Sequence, residues 1–353
     1  MLKKRIQLVA LLFVTVCSMK ITVAQTSDDP VAYLNSVENI HEDMNNKDLI
    51  YQSAAAHGKR LRRVEKLRKQ AVDAIDAAMD KTVALPAYKG DNSLRQASIT
   101  FINFCHKIFN DDYAHIVDVE EISEQSVDEM QAYLLLQEKT DEKFKEANAA
   151  WHTAYDAFAA KNNINLIDSK SDKGLKVETA NKLNKYYNQI YIIFFKCNWE
   201  DNQMTKAGEA KKVNDVEQCR NALIKYSDDG LMALDTLRSF NGDASMAQVC
   251  KQSLISFKNI AEKEIPKITD HYLKEENFKN IKKAFDSKSP SDRTHQDIDA
   301  FNKAVNEYNA SINAYNQTNN NLNNERTQIV NNWNNTEKSF MDSNMPYFKK
   351  GHM

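Results

Sequence analysis

Tyr88-Lys89-Gly90-Asp91-Asn92-Ser93-Leu94 and Phe240-Asn241-Gly242-Asp243-Ala244-Ser245-Met246 are two versions of one segment, 152 residues apart. Sliding the chain by this distance without gaps also pairs identical residues on either side, such as Ile108 with Ile260. Twelve of the 55 positions from Val64 to Asp118 are then identical, where chance gives about four. We interpret the match as an internal duplication.

The shortage of glycine and proline decides the fold class. The chain of 353 residues has only 7 Gly and 5 Pro, although sheets with many turns need both and long helices exclude them. The sequence therefore predicts an all-α protein built from two tandem, antiparallel helical-bundle repeats of long amphipathic helices. We place the repeats at 25–165 and 175–345, and the polar stretch 162–174 is the predicted linker.

The N-terminus has the pattern of a secretory signal peptide. Basic residues at 3–5 precede an apolar run from Leu8 to Cys17, which is too short to span a bilayer. Small residues at Thr22 and Ala24 predict cleavage after residue 24; lipidation at Cys17 is the alternative, which bulky Val16 disfavours.

The charge of the mature chain argues against nucleic acid as a partner. The full chain has 47 basic and 49 acidic residues, and residues 1–24 hold four basic and no acidic ones, so the mature net charge is −6. No later apolar run has the length of a transmembrane helix. We expect the protein outside the cytoplasm, in the periplasm or at the cell surface.

Apolar periodicity places the helices. It predicts helices over about 31–56, from after Gly58 to Ala84, from Leu94 to Ile108, over about 116–160 and over about 294–341, and Pro266 should kink or break a helix in the second half. Gly90 and Gly242 mark helix–turn–helix corners rather than ligand loops.

The last predicted helix has the clearest periodicity. Its apolar residues follow a seven-residue repeat typical of side-by-side helices: Phe301, Val305, Tyr308, Ile312, Tyr315, Leu322, Ile329, Trp333 and Phe340. Its other faces are rich in asparagine, a poor helix former. An Asn-lined binding surface and a merely solvated face would both produce this pattern, and the second is the simpler interpretation.

Four cysteines follow the signal peptide: Cys105, Cys197, Cys219 and Cys250. None has the C-x-x-C spacing of zinc or redox sites, and each lies beside apolar stripe residues. Although export would permit disulfides, we expect four unpaired core thiols.

No motif predicts catalysis or a bound cofactor. A di-iron bundle needs two Glu-x-x-His helices, but only Glu38 and His41 have that spacing, with Asp112 and His115 as a degraded second pair. Histidine on a polar helix face is usually solvated, so we predict no metal site. Nucleophile-elbow, P-loop and Rossmann patterns do not occur, and we assign no catalytic residue and no cofactor.

Four segments resemble a family of exported, all-helical surface proteins found in Bacteroidetes and Leptospira: 29–34, 56–59, 162–167 and 299–306. The resemblance covers most of the mature chain. It implies export and helical structure, and it brings no catalytic residue, cofactor or partner.

These observations together favour a non-catalytic protein of the cell envelope. We expect it to bind or scaffold another macromolecule, an envelope protein or a surface polymer, through its helix faces. The alternative is a soluble extracytoplasmic carrier of a small ligand or metal, with Tyr186, Tyr187, Tyr191 and Tyr308 available to line a cavity. The oligomeric state is left open.

Overall fold

The computed structural model describes residues 28–57, 61–109, 126–166 and 172–348, and this part of the chain is helical. The all-α prediction is confirmed, because the only β pairings in these ranges are isolated bridges, Tyr88 with Asp91 and Phe240 with Asp243. The predicted signal peptide 1–24, the alternative lipidation site Cys17, Gly58 and the Asp112/His115 pair lie outside the described residues.

The described residues include nine α-helices and a complete π-helical turn. In chain order these are α1 (Pro30–Ala56), α2 (Leu61–Ala84), α3 (Ser93–Lys107), α4 (Val127–Lys161), α5 (Asp172–Glu209), α6 (Val213–Thr236), α7 (Ser245–Asn259), the π turn (Ile260–Glu264), α8 (Ile265–Asp286) and α9 (His295–Asn344).

The chain divides into two compact units. The first runs to Asn188 and also takes the C-terminal residues from Lys338, and the second is Gln189–Glu337. The core of the first unit holds apolar residues of α1 to α4, among them Leu34, Phe101 and Trp151. In the second unit, Trp333 of α9 stacks on Phe194 of α5, with ring centroids 3.8 Å apart.

Helix boundaries recur at the spacing found in the sequence. The pairs α2 and α6, of 24 residues each, and α3 and α7, of 15 residues each, begin and end 152 residues apart. A polar contact that links the two helices of each pair recurs as well: His106 Nε2 lies 3.1 Å from Asp76 Oδ1, and Lys258 forms an ion pair with Asp228 at 2.6 Å.

The two glycine turns have the same backbone. Gly90 has φ +83° and Gly242 has φ +89°, a left-handed conformation that glycine adopts at little cost. In the first turn Asp91 Oδ1 accepts a hydrogen bond from the N–H of Ser93 at 2.9 Å, and the equivalent bond recurs in the second turn. Both turns act as helix corners, as predicted.

Two helix starts show how side chains set the boundaries. The fourth helix was predicted from about residue 116, and residues 116–125 lie outside the described residues. Helix α4 begins at Val127, because Ser126 caps it: Ser126 Oγ accepts a hydrogen bond from the Glu129 N–H and donates one to Glu129 Oε2. Pro266 lies in the first turn of α8, directly after the π turn, so helical geometry changes beside the proline as expected.

The seven-residue repeat of α9 is the face that packs. Leu322, Ile329, Trp333 and Phe340 are buried, and the five preceding members of the repeat are half-buried. Around the N-terminal members the packing is aromatic, since Phe285 stacks on Phe301 at 4.6 Å. The helix therefore buries one side and exposes the other along its length.

Candidate functional site

The exposed side of α9 carries a regular row of asparagines. Seven of them follow one another at alternating spacings of four and three residues, and all are exposed: Asn302, Asn306, Asn309, Asn313, Asn316, Asn320 and Asn323. Because this alternation keeps side chains on one side of a helix, the seven form a single row about 32 Å long. We call this row the amide ladder.

Most of the amide ladder lies in a stretch without charge. Residues 308–324 include no acidic or basic side chain, and at the N-terminal end Lys303 pairs with Glu307 at 3.9 Å. The neighbouring helix α8 is charged instead, with ion pairs such as Lys274 with Asp270 and Lys282 with Asp286. The exposed faces of both helices are polar, but that of α9 carries no charge over this stretch.

A second row of polar side chains is buried in the first unit. It lies on α1 with the same alternation of three and four residues, and every member is at most 8% exposed: Glu38, His41, Asn45, Asp48 and Gln52. We call this row the buried polar row. Apolar core residues such as Val37 and Met44 lie directly beside it on the same helix.

Aromatic rings enclose the N-terminal half of the buried polar row. His41 stacks on Trp151 at 4.4 Å and on Phe101 at 5.5 Å between ring centroids. Beside it, the Tyr155 hydroxyl donates to Glu38 Oε2 at 3.3 Å. The Trp151 indole N–H donates to Ser98 Oγ at 2.9 Å, so it is not available to His41.

Several polar atoms of the buried polar row have no hydrogen-bond partner within the described residues. They are both ring nitrogens of His41, Asn45 Nδ2, Asp48 Oδ1 and Gln52 Oε1. Asp48 Oδ2, in contrast, accepts a hydrogen bond from Gln52 Nε2 at 2.6 Å. Unpaired buried polar atoms are rare in native proteins and call for an explanation.

Burial also removes charge from the row. Desolvation raises the pKa of Asp48 to about 8, although the hydrogen bond from Gln52 opposes the rise. Desolvation, with a smaller effect of His152, lowers the pKa of His41 to about 3, and burial raises the pKa of Glu38. At neutral pH His41 and Asp48 are therefore uncharged and offer hydrogen-bond donors and acceptors rather than ions.

Helix α5 is mostly apolar at the positions that lie 152 residues after the buried polar row. At an offset of 152 residues, Glu38, Asn45 and Gln52 correspond to Ile190, Cys197 and Met204, all of which are at most 1% exposed. Asp48 alone corresponds to another acid, Glu200, whose pKa burial also raises. Helix α5 is thus buried at these positions with fewer polar side chains than α1.

The four cysteines are unpaired, as predicted. Cys105, Cys197 and Cys250 are buried, but Cys219 is only half-buried, so the expectation of four core thiols is wrong for one of them. Burial raises the pKa of Cys197 to about 12 and that of Cys219 to about 11. Thiols with such pKa values are weak nucleophiles at neutral pH.

The remaining sequence predictions concern a metal site and a tyrosine-lined cavity. His41 was expected on a solvated face, and its burial at 2% exposure corrects that expectation. Among the described residues no group of three or more His, Cys, Asp or Glu side chains could hold a metal ion. Tyr186 packs on Phe340 in the first unit, and Tyr191 and Tyr308 pack among rings of the second.

The large exposed apolar residues of the described ranges are scattered along the chain. They are mostly single side chains on different helices, such as Val83, Met232 and Leu273, with Leu135 and Leu136 as one adjacent pair. Within the described ranges no helix combines the length and apolar character needed to cross a membrane. The amide ladder and the buried polar row are thus the two features that packing leaves unexplained.

Comparison with known proteins adds no further constraint. The chain matches no protein-family model, no curated protein and no solved structure.

Proposed function

We propose that this protein is an exported, non-catalytic protein of the cell envelope that binds or scaffolds another macromolecule through a helix face. The amide ladder is the observation that carries this proposal. It presents one kind of side chain along about 32 Å of a helix, whose opposite side is packed into the second unit. A surface of that length suits an extended partner better than a small molecule.

Export is part of this proposal. The basic start, the short apolar run and the small residues before Gln25 support it, as does the resemblance to exported surface proteins. Mass spectrometry of the protein from its host should give a chain that starts at Gln25. A chain that retains Met1 or the apolar run would contradict the export proposal.

We also propose that the two halves arose by tandem duplication. The equal lengths and 152-residue spacing of two helix pairs support it, as do the two left-handed glycine turns. Within the described residues, the buried polar row and the amide ladder each occur in one half.

Binding to isolated host envelopes tests the main proposal. The ladder variant replaces Asn309, Asn316 and Asn323 by alanine, and the control variant replaces Asn221, Asn277 and Asn280, which are exposed on α6 and α8. We expect the wild type and the control variant to sediment with the envelopes and the ladder variant to remain in solution. Equal sedimentation of all three proteins would show that the amide ladder is not the binding face.

The buried polar row favours a second candidate function, a carrier for a small polar ligand. Its atoms without a partner among the described residues include both ring nitrogens of His41 and Asn45 Nδ2, which an uncharged ligand with hydroxyl or amide groups would satisfy. A ligand that binds the folded state raises the unfolding temperature. A panel of metal ions and neutral metabolites should then contain a compound that stabilises the wild type but not Asn45→Leu, and a panel without effect would end this candidacy.

A further inference from the structure

The uncharged chemistry of the amide ladder identifies the class of its partner. We propose that the ladder is a docking face for a neutral polysaccharide, with the sugar chain lying along α9. This inference rests on the proposed function and names the macromolecule that the helix face would bind.

The first argument is charge complementarity. The stretch 308–324 has no acidic or basic side chain, although charged residues make up 27% of the protein. Electrostatic recognition of an anionic or cationic polymer uses side chains of opposite charge. An uncharged face of this length provides no such attraction, and it fits an uncharged polymer.

The second argument is hydrogen-bond chemistry. Each asparagine carboxamide offers two N–H donors and one carbonyl acceptor in a plane. A sugar hydroxyl is both a donor and an acceptor, so one carboxamide can bond two neighbouring hydroxyls of the same ring. The ladder repeats this arrangement seven times. A carboxylate only accepts hydrogen bonds and an ammonium group only donates them, whereas a carboxamide does both.

The third argument is spacing. Adjacent members of the ladder lie on average 3.5 residues apart, which is about 5 Å along the helix axis. One pyranose unit in an extended chain has a similar length, so successive sugars can meet successive asparagines. Each contact is weak, and a polymer that spans the ladder gains affinity because the contacts form together.

The composition of the face disfavours the other occupants. Protein partners, including a second copy of this chain, normally bury aromatic or large apolar anchors at the centre of an interface. The exposed residues of α9 near the ladder are instead small or carry amides, for example Ala310, Ala314 and Gln317. Nucleic acid would require basic residues, and stretch 308–324 has none.

The test uses purified polysaccharides with the whole mature protein. Wild type, ladder variant and control variant are incubated with an insoluble β-linked glucan, an α-linked glucan, a mannan and an anionic polygalacturonate, and the bound fraction is measured at low and high salt. We expect the wild type to bind at least one neutral polymer in a salt-insensitive manner. The ladder variant should bind at least tenfold more weakly, the control variant should bind as the wild type does, and free monosaccharides should not compete.

Other results would overturn the inference in distinguishable ways. Preferred binding to polygalacturonate, or ladder-dependent binding of an envelope protein without any polysaccharide, would refute the neutral-polymer assignment and leave the proposed function standing. Ladder-dependent dimerisation in the ultracentrifuge would assign the face to a second copy. Polysaccharide binding that the ladder variant retains would refute this site, and absence of binding to both polymers and envelopes would refute the proposed function too.

Discussion

Replacing Asp48 by asparagine should stabilise the protein, and the gain should grow with pH. The Asp48 side chain is 6% exposed, and its Oδ1 has no hydrogen-bond partner within the described residues. Asparagine has nearly the same shape and cannot ionise. The substitution therefore removes the cost of keeping a buried carboxyl group protonated, and it keeps a carbonyl oxygen that can accept the hydrogen bond from Gln52 Nε2.

The magnitude follows from the pKa of the folded state. Burial raises the pKa of Asp48 from 3.8 to about 8, so between these values the folded protein holds a proton that the unfolded chain has released. The free energy of unfolding consequently falls with rising pH, by about 1.4 kcal/mol per pH unit for this one group. From about pH 5 to about pH 8 the loss amounts to about 3 to 4 kcal/mol.

His41 contributes the opposite trend in the acid range. Its pKa is lowered to about 3 in the folded state, so protonation of the unfolded chain destabilises the protein as pH falls below the ordinary histidine value. Wild type and Asp48→Asn share this contribution, so it cancels in the difference between their free energies of unfolding. That difference isolates the carboxyl group.

Urea unfolding of both proteins at several pH values measures the difference. Asp43→Asn is the matched control, since Asp43 lies on the same helix with its side chain half exposed and 3.9 Å from Lys81; we expect it to change stability by less than about 1 kcal/mol. A stability difference for Asp48→Asn that stays constant from acid to neutral pH would refute the reasoning. It would mean that water reaches the Asp48 carboxylate and that the buried polar row is open.

Three further variants test the packing and the ladder. The free energy of unfolding of the ladder variant, measured with urea, should be higher by about 1.5 kcal/mol in total, because alanine is the better helix former. A loss of stability would show that these asparagines make structural contacts. Gly230→Ala should destabilise by about 1 kcal/mol in thermal unfolding, since overpacking outweighs the gain in helix propensity: its Cβ would lie 2.6 Å from Ile193 and 2.8 Å from Leu254. An unchanged midpoint would show that α6 can shift. Gly242→Ala should lower stability by about 1 kcal/mol through its left-handed backbone alone, because its Cβ would meet no atom within 4 Å; a neutral result would mean that the turn rearranges.

The sequence predicted the helices well and the interior of the first unit poorly. Apolar periodicity located α9 to within a few residues, because one side of that helix packs and the other is exposed. The start of α4 at Val127 was not predicted, although the capping residues Ser126 and Glu129 are visible in the sequence. For α1, the assumption that polar positions are exposed positions failed. A helix enclosed on several sides buries polar residues together with apolar ones.

The difference between α1 and α9 explains which site could be found from sequence. Both helices carry polar residues at alternating spacings of three and four, and periodicity alone does not say whether such a row is buried or exposed. The buried row mixes acid, base and amide, which the core tolerates because burial suppresses the ionisation of Asp48 and His41. The exposed row consists of asparagine only, although its position imposes no rule against charge. The fold permits many residue types at these exposed positions, and the ladder nevertheless holds only asparagine. For this reason we assign the binding face to α9 and not to α1.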